Sequence, residues 1–242
     1  MDVHRLGRRA LRTRRNRRPY QAARRVLVWV ACAGNVLLAS SLHQAEEHAY
    51  DFRGWRYAFV PHMNDGLGAI LFGSACAASD GSCPLDPKMA LYINTILIWV
   101  GFSGCMAAAH LHPERFLLAG SLSWGTATVN GLGGHILPAV ASLSYNPGFV
   151  QSMVMVPLGI AIVRTSGRPW LCIANGVAAH VIAFGMGLNL VLRAHLPEAP
   201  TTIVFNALGG LALPLGLSWC FAHPMPSFKY ETLLFDSLRP AT

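Results

Sequence analysis

Between Val26 and Phe221 the chain is a succession of apolar runs, each close to the roughly twenty residues that a membrane-spanning helix requires. The runs lie near 26–48, 89–110, 116–142, 149–164, 169–193 and 202–221. A further stretch, 64–79, is broken by Asn64, Asp65 and small residues, and reads as a short re-entrant or interfacial helix. Only 12% of the residues are charged and 53% are hydrophobic, whereas a soluble domain carries about a quarter charged residues. The expected fold is therefore an all-α polytopic transmembrane bundle of about six spanning helices. It occupies 26–222, between an Arg-rich tail at 1–25 and a C-terminal tail at 223–242.

The net charge of +8 comes from one place. Ten of the 19 Lys and Arg residues lie between Arg5 and Arg25. Such a segment reads as a disordered cytosolic tail that holds the N-terminus inside and meets anionic headgroups. An Arg-rich targeting segment is the alternative. No folded basic domain follows, so nucleic acid is not an expected partner. With six spans the inside receives this tail, Arg115, Arg164 and Arg168; with seven, the later arginines move outside. Six obeys the positive-inside rule better. The expected location is a plasma membrane of bacterial type, with membrane lipids as partners.

Six cysteines show no zinc spacing. Cys32, Cys105, Cys172 and Cys220 sit in apolar runs as buried thiols, and Cys76 with Cys83 flank an outer loop where a disulfide fits an oxidising compartment.

The first span closes on His43-Gln44-Ala45-Glu46-Glu47-His48. Two carboxylates and two imidazoles at the end of a membrane helix are costly unless they serve a site. On a regular helix His43, Glu46, Glu47 and Tyr50 share a face and His48 points elsewhere.

Two later stretches echo one another. Asn130-Gly131-Leu132-Gly133-Gly134-His135 recurs as Asn175-Gly176-Val177-Ala178-Ala179-His180. In each, a glycine four residues before the histidine bares a patch of backbone, leaving room for a ligand or a close partner helix. Asn and His five apart do not share a helical face unless a π-bulge intervenes, so each asparagine is expected to bond a neighbouring helix. Six-span topology brings His43 and His135 to similar depth in the outer half, with His180 nearer the midplane.

Imidazoles and carboxylates from separate helices suit iron, manganese or zinc, and the candidate ligands are His43, Glu47, His135 and His180. The metal-free alternative is acid–base catalysis by adjacent Glu46 and Glu47, which suits isomerisation or cyclisation. Membrane histidines and glutamates also serve proton relays in carriers. Asn130, Tyr50 and Asn175 are candidate supporting residues.

His43-Gln44-Ala45-Glu46-Glu47 resembles the signature of the membrane protein family named for its H-x-x-E-E motif. Asn130 with His135, then Tyr145-Asn146-Pro147-Gly148 and Pro157, also resemble its later features, over roughly 26–165. The resemblance implies a small polytopic protein with no assigned biochemical function. It also implies that His43, Glu46, Glu47, Asn130 and His135 form the functional set. The turn Tyr145–Gly148 reads independently as a tight connection between spans.

The resulting expectation is a membrane enzyme acting on a lipid-like or isoprenoid substrate. Its centre is His43, Glu46, Glu47 and His135, with a divalent metal as the sharper form of the reading. A proton- or ion-coupled carrier, or a binding protein, using the same residues is the alternative.

Overall fold

The structure, a computed structural model, describes residues 42–51, 53–56, 60 and 87–221. The Arg-rich tail, most of the first span, the 64–79 stretch, the Cys76–Cys83 loop and the C-terminal tail lie outside the described residues.

The described residues are all-α and contain no strand, apart from one antiparallel bridge between Tyr50 and Arg56. Six helices are described. α1 is Gln44–His48, α2 Pro87–Leu111, α3 113–142, α4 Phe149–Thr165, α5 Pro169–Ala194 and α6 Glu198–Phe221. Prolines at the first helical positions start α3 and α5, where the missing N–H would have had no partner. Left-handed residues stop the same two helices, Leu143 with φ 49° and His195 with φ 53°.

Three of these helices, α2, α5 and α6, are long and apolar enough to cross a membrane, and α4 is a shorter apolar helix. That is fewer than the six spans expected from the sequence. Most of the run at 26–48 lies outside the description. The run at 116–142 forms a full helix, but one of a different kind. Residues 119–128 of α3 are all buried, and they include Ser121, Ser123, Thr126 and Thr128. This polar, small-residue stretch is the hub against which α2, α4, α5 and α6 pack.

Close packing at the hub depends on glycine. A Cβ on Gly176 of α5 would stand 2.6 Å from the Gly125 carbonyl oxygen of α3, and one on Gly131 would stand 2.6 Å from Val156 Cγ2 of α4. The bared backbone next to each Asn-Gly pair therefore receives a partner helix rather than a ligand. Between the helices lies an apolar core with Trp124, Leu122, Ile93, Ile162 and Phe102 at its centre. Cys105 and Cys172 are buried, as expected, but Cys220 is exposed near the end of α6. Trp99 and Trp219 face outward.

Four helices depart from regular winding. Wide, π-type turns run over Thr95–Phe102 in α2, Gly131–Ile136 in α3, Val181–Leu188 in α5 and Leu208–Ala212 in α6. Such turns shift every following side chain around the helix axis.

Candidate functional site

Four polar residues from distant parts of the chain meet at one end of the hub. His43, Glu46 and Glu47 come from α1 and its first turn, and His135 from the wide turn of α3. His43 and Glu47 are 1% exposed, Glu46 4% and His135 0%. Glu47 Oε1 lies 3.3 Å from His43 Nε2 and 3.4 Å from His135 Nε2. The two imidazoles meet edge to face, with ring centroids 4.6 Å apart.

Each member is oriented by a partner. His135 Nδ1 faces two acceptors, the Pro147 carbonyl at 2.7 Å and Asn146 Oδ1 at 3.0 Å. It must therefore carry the proton and donate, which leaves the Nε2 lone pair aimed at Glu47. Asn146 Nδ2 in turn donates to the Gly134 carbonyl at 3.3 Å. On Glu47 the second oxygen is the anchored one: Oε2 accepts from Gln44 Nε2 at 3.2 Å and Asn94 Nδ2 at 3.3 Å. Oε1 is left to the two imidazoles.

The α3–α4 turn fits against both rings because it carries Gly148. That residue has φ +85°, and a Cβ there would lie 2.5 Å from His43 Cε1 and 2.7 Å from His135 Nδ1. Only glycine combines this backbone with this proximity.

Some buried atoms have no hydrogen bond among the described residues. They include both nitrogens of His43 and both oxygens of Glu46. His43 Nε2 is at ion-pair distance from Glu47 but misaligned for an N–H···O bond. Glu46 lies on the α4 side, beside Gln151 and the Gly148 backbone.

His43, Glu47 and His135 offer three ligand atoms within 4.8 Å of one another. Ligand atoms around a tetrahedral ion with bonds of about 2.0–2.1 Å stand about 3.3–3.4 Å apart. The two Glu47 separations match that edge. The outer partners of His135 also suit a ligating imidazole, whose distal N–H is normally held by a carbonyl or carboxylate.

The other sequence candidates fall into place around this centre. Asn130 reaches His135, with Nδ2 3.3 Å from Nε2, and reaches His180, with Oδ1 3.3 Å from Nε2. The expectation that it would bond only a neighbouring helix is corrected, because the wide turn at Gly131–Ile136 brings positions five apart onto one face. His180 does not join the three converging groups. Its Nδ1 donates to the Gly176 carbonyl at 2.7 Å, its ring stacks on Phe184, and Asn130 stands between it and His135. Asn175 behaves as an interhelical strut, donating to the Leu122 carbonyl at 3.1 Å and to Thr126 Oγ1 at 3.2 Å.

Two readings of the α1 face are corrected. Tyr50 is 59% exposed and outside the cluster, because α1 ends at His48 and helical spacing no longer applies. His48 does not point away. Its Nε2 is 3.7 Å from Glu47 Oε2 and contacts Asn94 Nδ2.

Asn94 and Asn146 are partners that sequence reasoning missed in these roles. Asn94 is a buried amide in an otherwise apolar run, and that cost was the available signal. Asn146 was read only as part of a turn.

A clasp closes the outer side. Asp51 accepts from the Arg53 and Trp55 amides at 2.8 and 2.9 Å and from Arg53 Nε at 2.7 Å. The Arg53 guanidinium lies over the rings of Trp55 and Tyr145, 4.4 and 4.8 Å from their centroids. Burial raises the Asp51 carboxyl, but the Trp55 and Arg53 hydrogen bonds and the Arg53 charge outweigh it and hold the group below the usual aspartate range.

The model of a family described as proteins of unknown function with an HXXEE motif matches residues 34–162. No curated protein and no solved structure matches the chain. The matched residues include His43, Glu46, Glu47, Asn130 and His135, and His180 lies beyond them.

Proposed function

This chain belongs to the family of proteins of unknown function with an HXXEE motif, and from its converging ligand atoms we propose that it is an integral membrane enzyme with a divalent-metal site acting on a lipid-like substrate. The observation that carries this reading is the pair of 3.3 and 3.4 Å separations around Glu47 Oε1, with no hydrogen bond on His43 Nε2. His43 Nε2, Glu47 Oε1 and His135 Nε2 would hold iron, manganese or zinc. Such an ion supplies Lewis acidity toward a carbonyl or water.

The chain's own groups complete the chemistry. Pro147 and Asn146 fix the His135 tautomer, and Gln44 and Asn94 fix the Glu47 carboxylate. Glu46 is the general base. It is buried and stands beside the three ligands, next to Gln151 and the Gly148 backbone. The reaction that this set suits best is hydrolysis of an acyl bond in a lipid. Glu46 takes a proton as water adds its oxygen to the acyl carbon, and returns it to the departing oxygen as that bond breaks.

The bridge His135–Asn130–His180 favours a second reading, a proton-coupled carrier. Elemental analysis of the detergent-purified protein tests the first. Near-stoichiometric metal, lost in both His43→Ala and Glu47→Ala, supports it. Metal-free, well-folded wild type removes it. Substrate flux without product chemistry, abolished by Glu47→Gln, would favour the carrier.

A further inference from the structure

Beside the three ligands lies a cavity of about 20 Å³, enough for one water-sized group. Its polar lining is His43, Asn94, Thr126, Asn130 and His180. The rest is apolar and includes Leu97, Phe102, Met155 and Phe184. No lysine or arginine among the described residues lines it. Two of the wide helical turns line it: Leu97 and Phe102 lie within the α2 turn and Phe184 within the α5 turn, while Asn130 immediately precedes the α3 turn. Wide turns recur at functional sites because they re-aim side chains toward a ligand.

Size and charge together select an occupant. A phosphate is larger than one water-sized group and would find no cation among the lining side chains. An uncharged oxygen fits the space. Asn94 Nδ2 and both His180 nitrogens are engaged with Glu47, His48, Gly176 and Asn130, but Asn94 Oδ1 makes no hydrogen bond among the described residues and can accept from a hydroxyl. We propose that this cavity is the recognition pocket for a single hydroxyl on an otherwise apolar molecule whose chain extends past Phe102 and Phe184. Asn94 is its specificity-determining residue. This inference rests on the enzyme reading above and names its substrate class.

The test uses the full-length protein in nanodiscs with two photoreactive probes. One is a long-chain alcohol bearing a diazirine close to the hydroxyl, and the other is its phosphate monoester. The expected result is that the alcohol labels peptides containing Leu97–Phe102 or Phe184, and the phosphate does not. Asn94→Leu should reduce labelling about tenfold, the cost of losing a buried hydrogen-bond partner. Ala127→Leu, which fills the cavity from α3, should abolish labelling without altering a polar group. Labelling by the phosphate at equal efficiency overturns the proposal, as do unchanged labelling in Ala127→Leu and labelling confined to other peptides. Metal content is read on the same samples. Metal present without alcohol labelling sinks the pocket assignment and leaves the metal site standing, whereas labelling without metal does the reverse.

Discussion

His43 and His135 touch edge to face, with planes at 85°, although one belongs to the first described helix and the other to the wide turn of α3. Glu47 Oε1 bridges their Nε2 atoms. Most of the expected behaviour of the molecule follows from how that contact is held.

Gly148 lies against both rings. Gly148→Ala would carry a left-handed strain of about 1–2 kcal/mol and push a methyl group into His43 and His135. Gly167, with φ +75°, has nothing within 4 Å of its virtual Cβ. Gly167→Ala should therefore show the strain alone. Thermal unfolding should rank wild type first, then Gly167→Ala, then Gly148→Ala, and only Gly148→Ala should lose bound metal. Equal losses in the two variants would argue that Gly148 does not set the ring positions.

Glu46 and Glu47 differ in what surrounds them, so their amides should differ in effect. Glu47→Gln removes the bridging carboxylate and should abolish metal retention. Glu46→Gln should keep metal and stability near wild type while lowering turnover by about 10²–10⁴-fold, the usual contribution of a positioned general base. Elemental analysis alongside product formation separates the two.

The α3–α5 contact should depend more on shape than on hydrogen bonding. Asn175→Ala removes a polar strut of a kind that contributes about 0.6–1.7 kcal/mol between membrane helices. Gly176→Val places methyl groups against the Gly125 carbonyl, 2.6 Å from where its Cβ would be, and overpacking costs about 1–3 kcal/mol or more. Unfolding in a denaturing detergent should find Gly176→Val the less stable variant.

Asp51 gives the outer clasp an acid limit. Its carboxyl is held below the ordinary value of about 3.9 by Trp55 and Arg53, against the opposing effect of burial. A depressed carboxyl contributes stability that is fully present above the unfolded value and is lost as pH falls through the folded one. Relative to the intrinsic exchange rate at each pH, protection of the Arg53 and Trp55 amides should fall below about pH 4 in wild type. In Asp51→Asn that protection should be low and flat across the same range.

Local periodicity explains what was legible in the sequence. His43 and Glu47 are four apart, and His43 at the start of α1 meets Glu47 as that spacing requires. The expected meeting of His43 and His135 came from counting residues along alternating spans, and their rings do touch. Asn130 beside His135 did not follow, because a 3.6-residue period cannot place positions five apart together and the wide turn has no marker except its glycines. Tyr50 was misplaced because no residue announces that α1 stops at His48. Asn94 became a partner of Glu47 only through tertiary packing, although its amide within an apolar run was a visible anomaly. The polar hub α3 also read as an ordinary span, since burial by four other helices is invisible to a hydropathy window.

The two oxygens that fix His135 belong to Asn146 and Pro147, so the ring is oriented by residues made after it, against a carboxylate made much earlier. During synthesis Glu46 and Glu47 leave the ribosome before any of these partners exists. A buried carboxylate is costly until its partners are in place, so the centre is complete only when the α3–α4 turn closes against α1. A chain that stops before Gly148 carries the motif without the contacts that order it.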